Sequence, residues 1–240
     1  MDRLLSTSDK GDIDVERPHT GQQAAEARPV SRTAFVQGAR LSGWVERFAA
    51  SHGRLAETQV DGGILLQAAD GATALLKAPW PVDGRPGTGA DLLERLASLA
   101  AQERGLGLLL VRRGGFAVAA ASGGTVLASK TGTRYVQSRT AAGGQSQQRY
   151  ARRRGNQADA LVESAAEHAA QVFGAHRVEY LVPGGDRLLV EQVLEQPAMK
   201  QFAVRSRLAF LDIPGPKATA LAKAAADACS VRILVTDPPA

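Results

Sequence analysis

A chain of 240 residues with 44% hydrophobic and only 5% aromatic side chains can bury a core of mostly Ala, Val and Leu, in one large domain or two small ones. One cysteine, Cys229, excludes an internal disulfide and reads as a buried inert thiol of a cytoplasmic protein, and the lack of any stretch approaching ~20 uncharged apolar residues argues against a membrane span or a signal peptide. The formal net charge is +5, and where that charge sits proves more telling than its size.

Residues 1–32 carry few large apolar side chains and no periodicity, which predicts a mobile tail. Residues 33–81 read as a small antiparallel α+β domain. It opens with a short strand at Ala34–Gly38. Ser42 is the expected N-cap of a helix through Trp44, Val45, Phe48 and Ala49, stopped by Gly53. Strands follow at Leu55–Val60, Ile64–Ala68 and Thr73–Ala78, divided by the hairpin signals Asp61-Gly62-Gly63 and Asp70-Gly71. Nothing in this domain carries chemistry, and Trp44 and Trp80 read as packing residues.

Residues 82–105 read as a linker and a connecting helix. Val82 to Gly89 is rich in Pro and Gly, and its Gly-Arg-Pro-Gly-Thr-Gly lacks the Gly-Lys-Ser/Thr of a phosphate loop. The helix, about Ala90 to Gln102, gathers Leu92, Leu93, Leu96 and Leu99 on one side. The linker predicts that the part from about Gly89 onward is separable.

Residues 106–240 form the second expected domain. Three strands, Leu106–Arg112, Gly115–Ala121 and Thr125–Thr131, turn at Gly-Gly pairs. A loop rich in Ser, Thr, Gly and Gln, Val136 to Gln147, is expected to be mobile and enters a long helix ending near Phe173, with Leu161, Ala165, Ala169 and Val172 as its buried stripe. Then come a strand at Val178–Val182, helical segments at Asp186–Glu195 and Pro197–Val204, a strand at Leu208–Leu211, a helix at Lys217–Ala228 and a strand at Val231–Val235. This order, closed by the last strand, predicts a mixed sheet with flanking helices, an α+β or α/β arrangement.

The charge is focused where the loop meets the long helix. Between Lys130 and Arg154 stand Lys130, Arg134, Arg139, Arg149, Arg152, Arg153 and Arg154, with no Asp or Glu among them. This window alone exceeds the net charge of the whole chain, and such focusing points to a polyanion. Cations at a helix N-terminus oppose its macrodipole, so stability does not explain them and binding does. Tyr135 and Tyr150 are interleaved and can stack on bases, though core packing suits Tyr135 equally well. At the loop's tip, Gly143 and Gly144 let the backbone pass close to another molecule, and Gln145 follows.

Rival chemistries find little support. His19, His52, His168 and His176 have no metal-ligand spacing, and a single cysteine cannot complete a site. Ser129-Lys130-Thr131-Gly132 contains a Lys-Thr-Gly without the Ser-x-x-Lys nucleophile that accompanies it in penicillin-binding enzymes, and no Gly-x-Ser-x-Gly elbow occurs. The strands from Leu106 to Thr131 hold no Asp or Glu, which argues against metal-dependent nucleolysis.

Gly143-Gly144-Gln145-Ser146 followed by Arg149-Tyr150-Ala151-Arg152 resembles the Gly-Gly-Gln loop and next helix of the eukaryotic and archaeal class I release factors. Arg113 to Val118 is similar to the strand pair that opens their central domain, and Leu208 to Ile213 to a late strand of it. The resemblance runs from about Leu108 to about Asp237 and is nearest to the bacterial members of the Vms-type release-factor-like peptidyl-tRNA hydrolases. It implies a ribonuclease-H-like central domain, and a monomer that needs no cofactor or metal is expected. It also implies hydrolysis of the peptidyl-tRNA ester in the peptidyl-transferase region of the large ribosomal subunit. Gly143, Gly144 and Gln145 become catalytic, while Arg149, Arg152, Arg153, Arg154, Lys130, Arg134 and Arg139 become RNA-binding. Gln145 does not titrate near neutrality, so its role is positional. The resemblance implies that its backbone N–H bonds at the reacting ester while the side chain orients or excludes water. Nothing matches the stop-codon-reading or GTPase-docking domains of the release factors, which favours rescue of stalled ribosomes over termination. A non-catalytic module for ribosomal or transfer RNA is the alternative, and an assembly protein with an incidental loop is a third.

Overall fold

The computed structural model describes residues 31–133 and 145–238 and, within them, every side chain except those of 145–156. Two five-stranded sheets with helices against them make a mixed α/β fold. Residues 1–30 of the expected tail lie outside the described residues, as does the loop after Thr133 up to Gly144, with Tyr135 in it. The tail's last two residues, Ser31 and Arg32, belong to a strand instead.

The first sheet has the order β1-β10-β4-β3-β2, all antiparallel, from β1 (Ser31–Val36), β2 (Leu55–Val60), β3 (Gly63–Ala68), β4 (Thr73–Lys77) and β10 (Val231–Thr236). One face is apolar. Ile64, Leu66, Ala74, Leu76, Ile233 and Val235 are buried against α1 (Leu41–His52) and α2 (Leu92–Ala100). The last strand, expected to close the mixed sheet, therefore lies between β1 and β4 instead. Its own pattern gives the reason. Val231, Ile233 and Val235 are buried while Arg232 and Leu234 are exposed, and this alternation fits a sheet covered on one side only. Ser42 is likewise not the N-cap of α1. A 3-10 turn at Gly38–Arg40 feeds the helix, and the cap residue Arg40 makes no side-chain cap bond. The turn stays close to α2 because Gly38 has no side chain, as a Cβ there would overlap the Ala97 carbonyl oxygen.

The second sheet has the order β7-β6-β5-β8-β9, from β5 (Leu106–Arg112), β6 (Gly115–Ser122), β7 (Thr125–Thr133), β8 (Tyr180–Gly185) and β9 (Ser206–Arg207). β7, β6 and β5 are antiparallel, whereas β8 runs parallel to β5 and β9 parallel to β8. β5 is almost wholly buried because helices cover both faces. Leu109 and Val111 pack with α3 (Gln145–Gly174) and α4 (Arg187–Leu194). Leu106, Leu108 and Leu110 pack with α6 (Ala218–Ala228), Trp80 and Leu99. A short helix, α5 (Lys200–Ala203), precedes β9. The strand expected at Leu208–Leu211 is interrupted. Leu208 and Leu211 donate to the Leu181 and Pro183 carbonyls at 2.8 and 2.9 Å. They pack on the α6 side, while Phe210 packs on the α3 side. Residues three apart on one face mean one residue too many for a regular strand.

The two sheets meet through α2, which gives Leu96 and Ala100 to the first core and Leu99 to the second. Asp91 caps this helix by accepting from the Glu94 N–H at 2.7 Å. Residues 82–89, read as a linker, are tied to the second sheet. Asp83 (φ 52) and Gly84 (φ 71) form a tight turn closed by Arg85 N–H to the Val82 carbonyl at 2.9 Å. The Tyr180 hydroxyl donates to Asp83 at 2.7 Å, and Arg85 pairs with Glu179. Beneath this turn lies Arg104, 0% exposed, bonded to the Gln102 amide oxygen at 2.7 Å and to the Tyr180 hydroxyl at 3.3 Å. Its guanidinium stands 6.0 Å from the Trp80 ring and 5.9 Å from the Tyr180 ring. Burial pushes the Glu179 carboxyl up, but the Gly105 N–H and the Arg85 and Arg177 guanidiniums outweigh it and hold its pKa below the ordinary value. Burial, with the bond to Asp83, raises that of Tyr180.

Candidate functional site

The loop of interest is bounded by two described anchors, the end of β7 at Thr133 and the start of α3 at Gln145. α3 is a 30-residue helix, close to 45 Å at ~1.5 Å per residue. Its later part packs on the second sheet. Leu161, Val162, Ala165, Ala166, Ala169, Val172 and Phe173 form the buried stripe against β6 and β5. From Leu161 back to Gln145 the helix runs roughly 24 Å. Asp159, Glu163 and Glu167 are exposed along it, so acidic residues follow the arginine-rich turns.

Gln145 is the first residue of α3, and positions 149 and 152–154 lie in its first turns. The first four N–H groups of a helix have no partner within it. The Gln145 N–H thus stands at the positive end of the helix dipole. Lys130 is exposed on β7 and pairs in register with Val118. Val118 faces the core under α3, so Lys130 lies on the same side of the sheet as the helix. Gly143, Gly144, Arg134 and Arg139 lie outside the described residues, and the backbone alone is described for Arg149, Arg152, Arg153 and Arg154.

One feature of the anchors escaped sequence reasoning. Gly132, next to Thr133, pairs with Phe116 of β6. A Cβ on Gly132 would overlap the Phe116 ring. That ring in turn lies against His168 of α3, with centroids 5.5 Å apart. A glycine inside a strand is the signal that pointed to such a close approach.

Other chemistry is sparse. Among the described residues no group of His, Cys, Asp and Glu is placed to hold a metal ion. His52 pairs with Asp70 at 2.8 Å, and the Ala72 N–H and then His52 lower the Asp70 pKa. Burial raises the Cys229 thiol pKa. Two clefts of about 710 Å³ lie where the sheets meet, both lined by Phe35, Arg232 and Asp227, and no described residue of β7 or α3 lines either one. No described helix is long and apolar enough to cross a membrane.

A family model described as the Actinobacteria/chloroflexi VLRF1 release factor matches residues 104–234, more than half of the chain. The chain belongs to this family. The VLRF1 match begins at the buried Arg104, takes in the whole second sheet with α3, α4, α5 and α6, and ends within β10. It leaves out β1–β4, α1 and α2, as the resemblance read from the sequence also did. No curated protein matches the chain.

Proposed function

We propose that this VLRF1 release factor hydrolyses the ester joining a nascent peptide to tRNA on stalled ribosomes or large subunits. The observation that carries the reading is Gln145 at the N-terminus of a 30-residue helix, directly after Gly143-Gly144. Water adds to the ester carbonyl carbon and the bond to the ribose 3′ oxygen breaks. That oxygen takes a proton, leaving a peptide carboxylic acid and deacylated tRNA. The Gln145 N–H, without a helical partner and at the positive dipole end, stabilises the charge that develops on oxygen. The Gln145 side chain orients or excludes water. Gly143 and Gly144 allow the backbone shape that brings this N–H to the ester.

Arg149, Arg152, Arg153, Arg154, Lys130, Arg134 and Arg139 bind phosphates of ribosomal and transfer RNA near the peptidyl-transferase region. Helical spacing supports this for Arg149 and Arg153, whose positions fall on the phase opposite the Leu161–Phe173 stripe. The reaction needs no cofactor, and the chain works as a monomer in the cytoplasm. The sheet order β7-β6-β5-β8-β9, three antiparallel strands followed by two parallel ones, supports a ribonuclease-H-like architecture for the part from residue 106. The first sheet's strands before Pro81 then form a smaller α+β unit completed by β10.

The test is peptide release from large subunits carrying peptidyl-tRNA. Gln145→Ala keeps the N–H and should slow release about tenfold to a thousandfold, as for the loss of one positioning contact. Gly144→Ala should slow it more, because a Cβ shifts the Gln145 N–H. Both should still sediment with the subunit. Release at the wild-type rate by both variants overturns the catalytic reading. A wild-type protein that binds tightly and releases nothing is the RNA-binding module instead.

A further inference from the structure

We infer that Gly132, Phe116 and His168 form a positioning clamp that sets where the Gly143-Gly144-Gln145 loop is presented. This rests on the release function proposed above and adds three residues that touch neither RNA nor peptide. The loop leaves β7 at Thr133 and re-enters the fold at α3. The angle between β7 and α3 therefore fixes where the loop can reach.

The clamp joins those two elements through one aromatic ring. Phe116 is 2% exposed and sits in the core between β6 and α3. On its strand side it fills the space above Gly132, where any Cβ would overlap it. On its helix side it meets the His168 ring, tilted by 44°. His168 is itself held, donating its Nδ1–H to the Ser164 carbonyl at 2.7 Å. Gly115, beside Phe116, is also close to this strand end, since a Cβ there would stand 2.9 Å from the Gly132 carbonyl oxygen. The strand end, ring and helix thus touch with no spare room, and cores this dense pass displacements on instead of absorbing them.

The length of α3 amplifies any shift. A tilt of about 5° about Leu161 moves the Gln145 end, roughly 24 Å away along the helix, by about 2 Å. Misplacing a reacting group by about 1 Å can lower a rate on the order of a hundredfold. Gly132 is thereby a positioning residue, and an alanine there moves Gln145 without touching it.

The experiment uses the full-length chain with Cys229→Ser and spin labels on cysteines at Thr125, in β7, and Gln148, in α3. Pulsed electron resonance reads the distance between them. Gly132→Ala should shift the mean distance by about 2 Å and lower release at saturating subunit at least tenfold, with half-saturation changed less than about twofold. Adding Phe116→Leu to Gly132→Ala makes room for the methyl group and should restore both readouts to within about threefold of wild-type release. Phe116→Leu alone adds no bulk and covers the case in which Gly132→Ala melts below the assay temperature. It should broaden the distance distribution and slow release. An unmoved distance in Gly132→Ala, or an unbroadened one in Phe116→Leu, overturns the clamp whatever the release assay reads. A moved distance with wild-type release overturns its part in presenting the loop. If the wild type itself releases nothing, the function proposed above fails, and the distances still judge the clamp.

Discussion

Replacing Arg104 with methionine removes one charge from the joint between the sheets and keeps most of the volume. The wild-type side chain is 0% exposed. Its loss takes two donors from the Gln102 amide oxygen, at 3.2 and 2.7 Å, and one from the Tyr180 hydroxyl. It also leaves Asp83 and Glu179 without a cation at 3.8 and 3.9 Å. Removing one partner of a buried charge cluster costs about 3–5 kcal/mol. The value here falls toward or below the lower end. Glu179 keeps Arg85 and the Gly105 N–H, and the Asp83 side chain is 58% exposed and still reached by the Tyr180 hydroxyl. A loss of about 2–3 kcal/mol follows, with a fall in Tm of about 4–12 °C for a chain of this size. Arg104→Ala also forfeits two buried methylenes and should lose about 1.5 kcal/mol more. Urea melts followed by circular dichroism measure both. An Arg104→Met midpoint within about 0.5 kcal/mol of wild type would show that the packed stem and the rings, and not the charge, hold the joint.

Changing Arg152, Arg153 and Arg154 together to alanine should weaken subunit binding and flatten its salt dependence by about two to three units of log–log slope, near 0.9 per phosphate contact at most; an unchanged slope in sedimentation assays removes these residues from the RNA contact. A chain begun at Gly89 keeps the whole second sheet but leaves β10 without both of its strand partners, β1 and β4. It should expose Val231, Ile233 and Val235, aggregate or lose its cooperative melt, and recover when β10 is also removed; a sharp melt of the Gly89–Ala240 chain argues against a shared sheet.

Much of this architecture was legible because local rules and tertiary context agree. The hairpins at Gly62 and Gly71, both with positive φ, and the two-sided burial of β5 follow from turn chemistry and from an uninterrupted apolar run. The stripe of α3 is legible for the same reason, since Leu161, Ala165, Ala169 and Val172 recur at helical spacing. What escaped was non-local. Strand Val231–Thr236 follows α6, and chain order suggested the neighbouring sheet. Only the one-sided pattern of its residues marked it for the other sheet, and pattern alone does not name a partner. Residues 82–89 looked like a linker by composition. Their attachment depends on Glu179 and Tyr180, more than ninety positions later. Of the site, the Gly-Gly-Gln and the arginines are contiguous and visible. The Gly132–Phe116–His168 contact joins three segments, and only the strand glycine hinted at it.

The layout of α3 ties these features together. A helix stabilised by its own ends would carry acids first and bases last. Here four arginines come within the first ten residues, and Asp159, Glu163 and Glu167 follow. The acids are spaced four apart, where like charges repel by a few tenths of a kcal/mol. Neither choice helps the isolated helix. The energy comes from elsewhere, because seven buried side chains from Leu161 to Phe173 hold its later half on the second sheet. Fully burying one leucine or phenylalanine side chain is worth about 1.5–3 kcal/mol, comparable to the sum of those charge penalties, so the stripe as a whole outweighs them. Anchoring one half by packing leaves the other half's sequence to be set by what it meets. A helix so anchored can carry a basic first half without support from its own dipole.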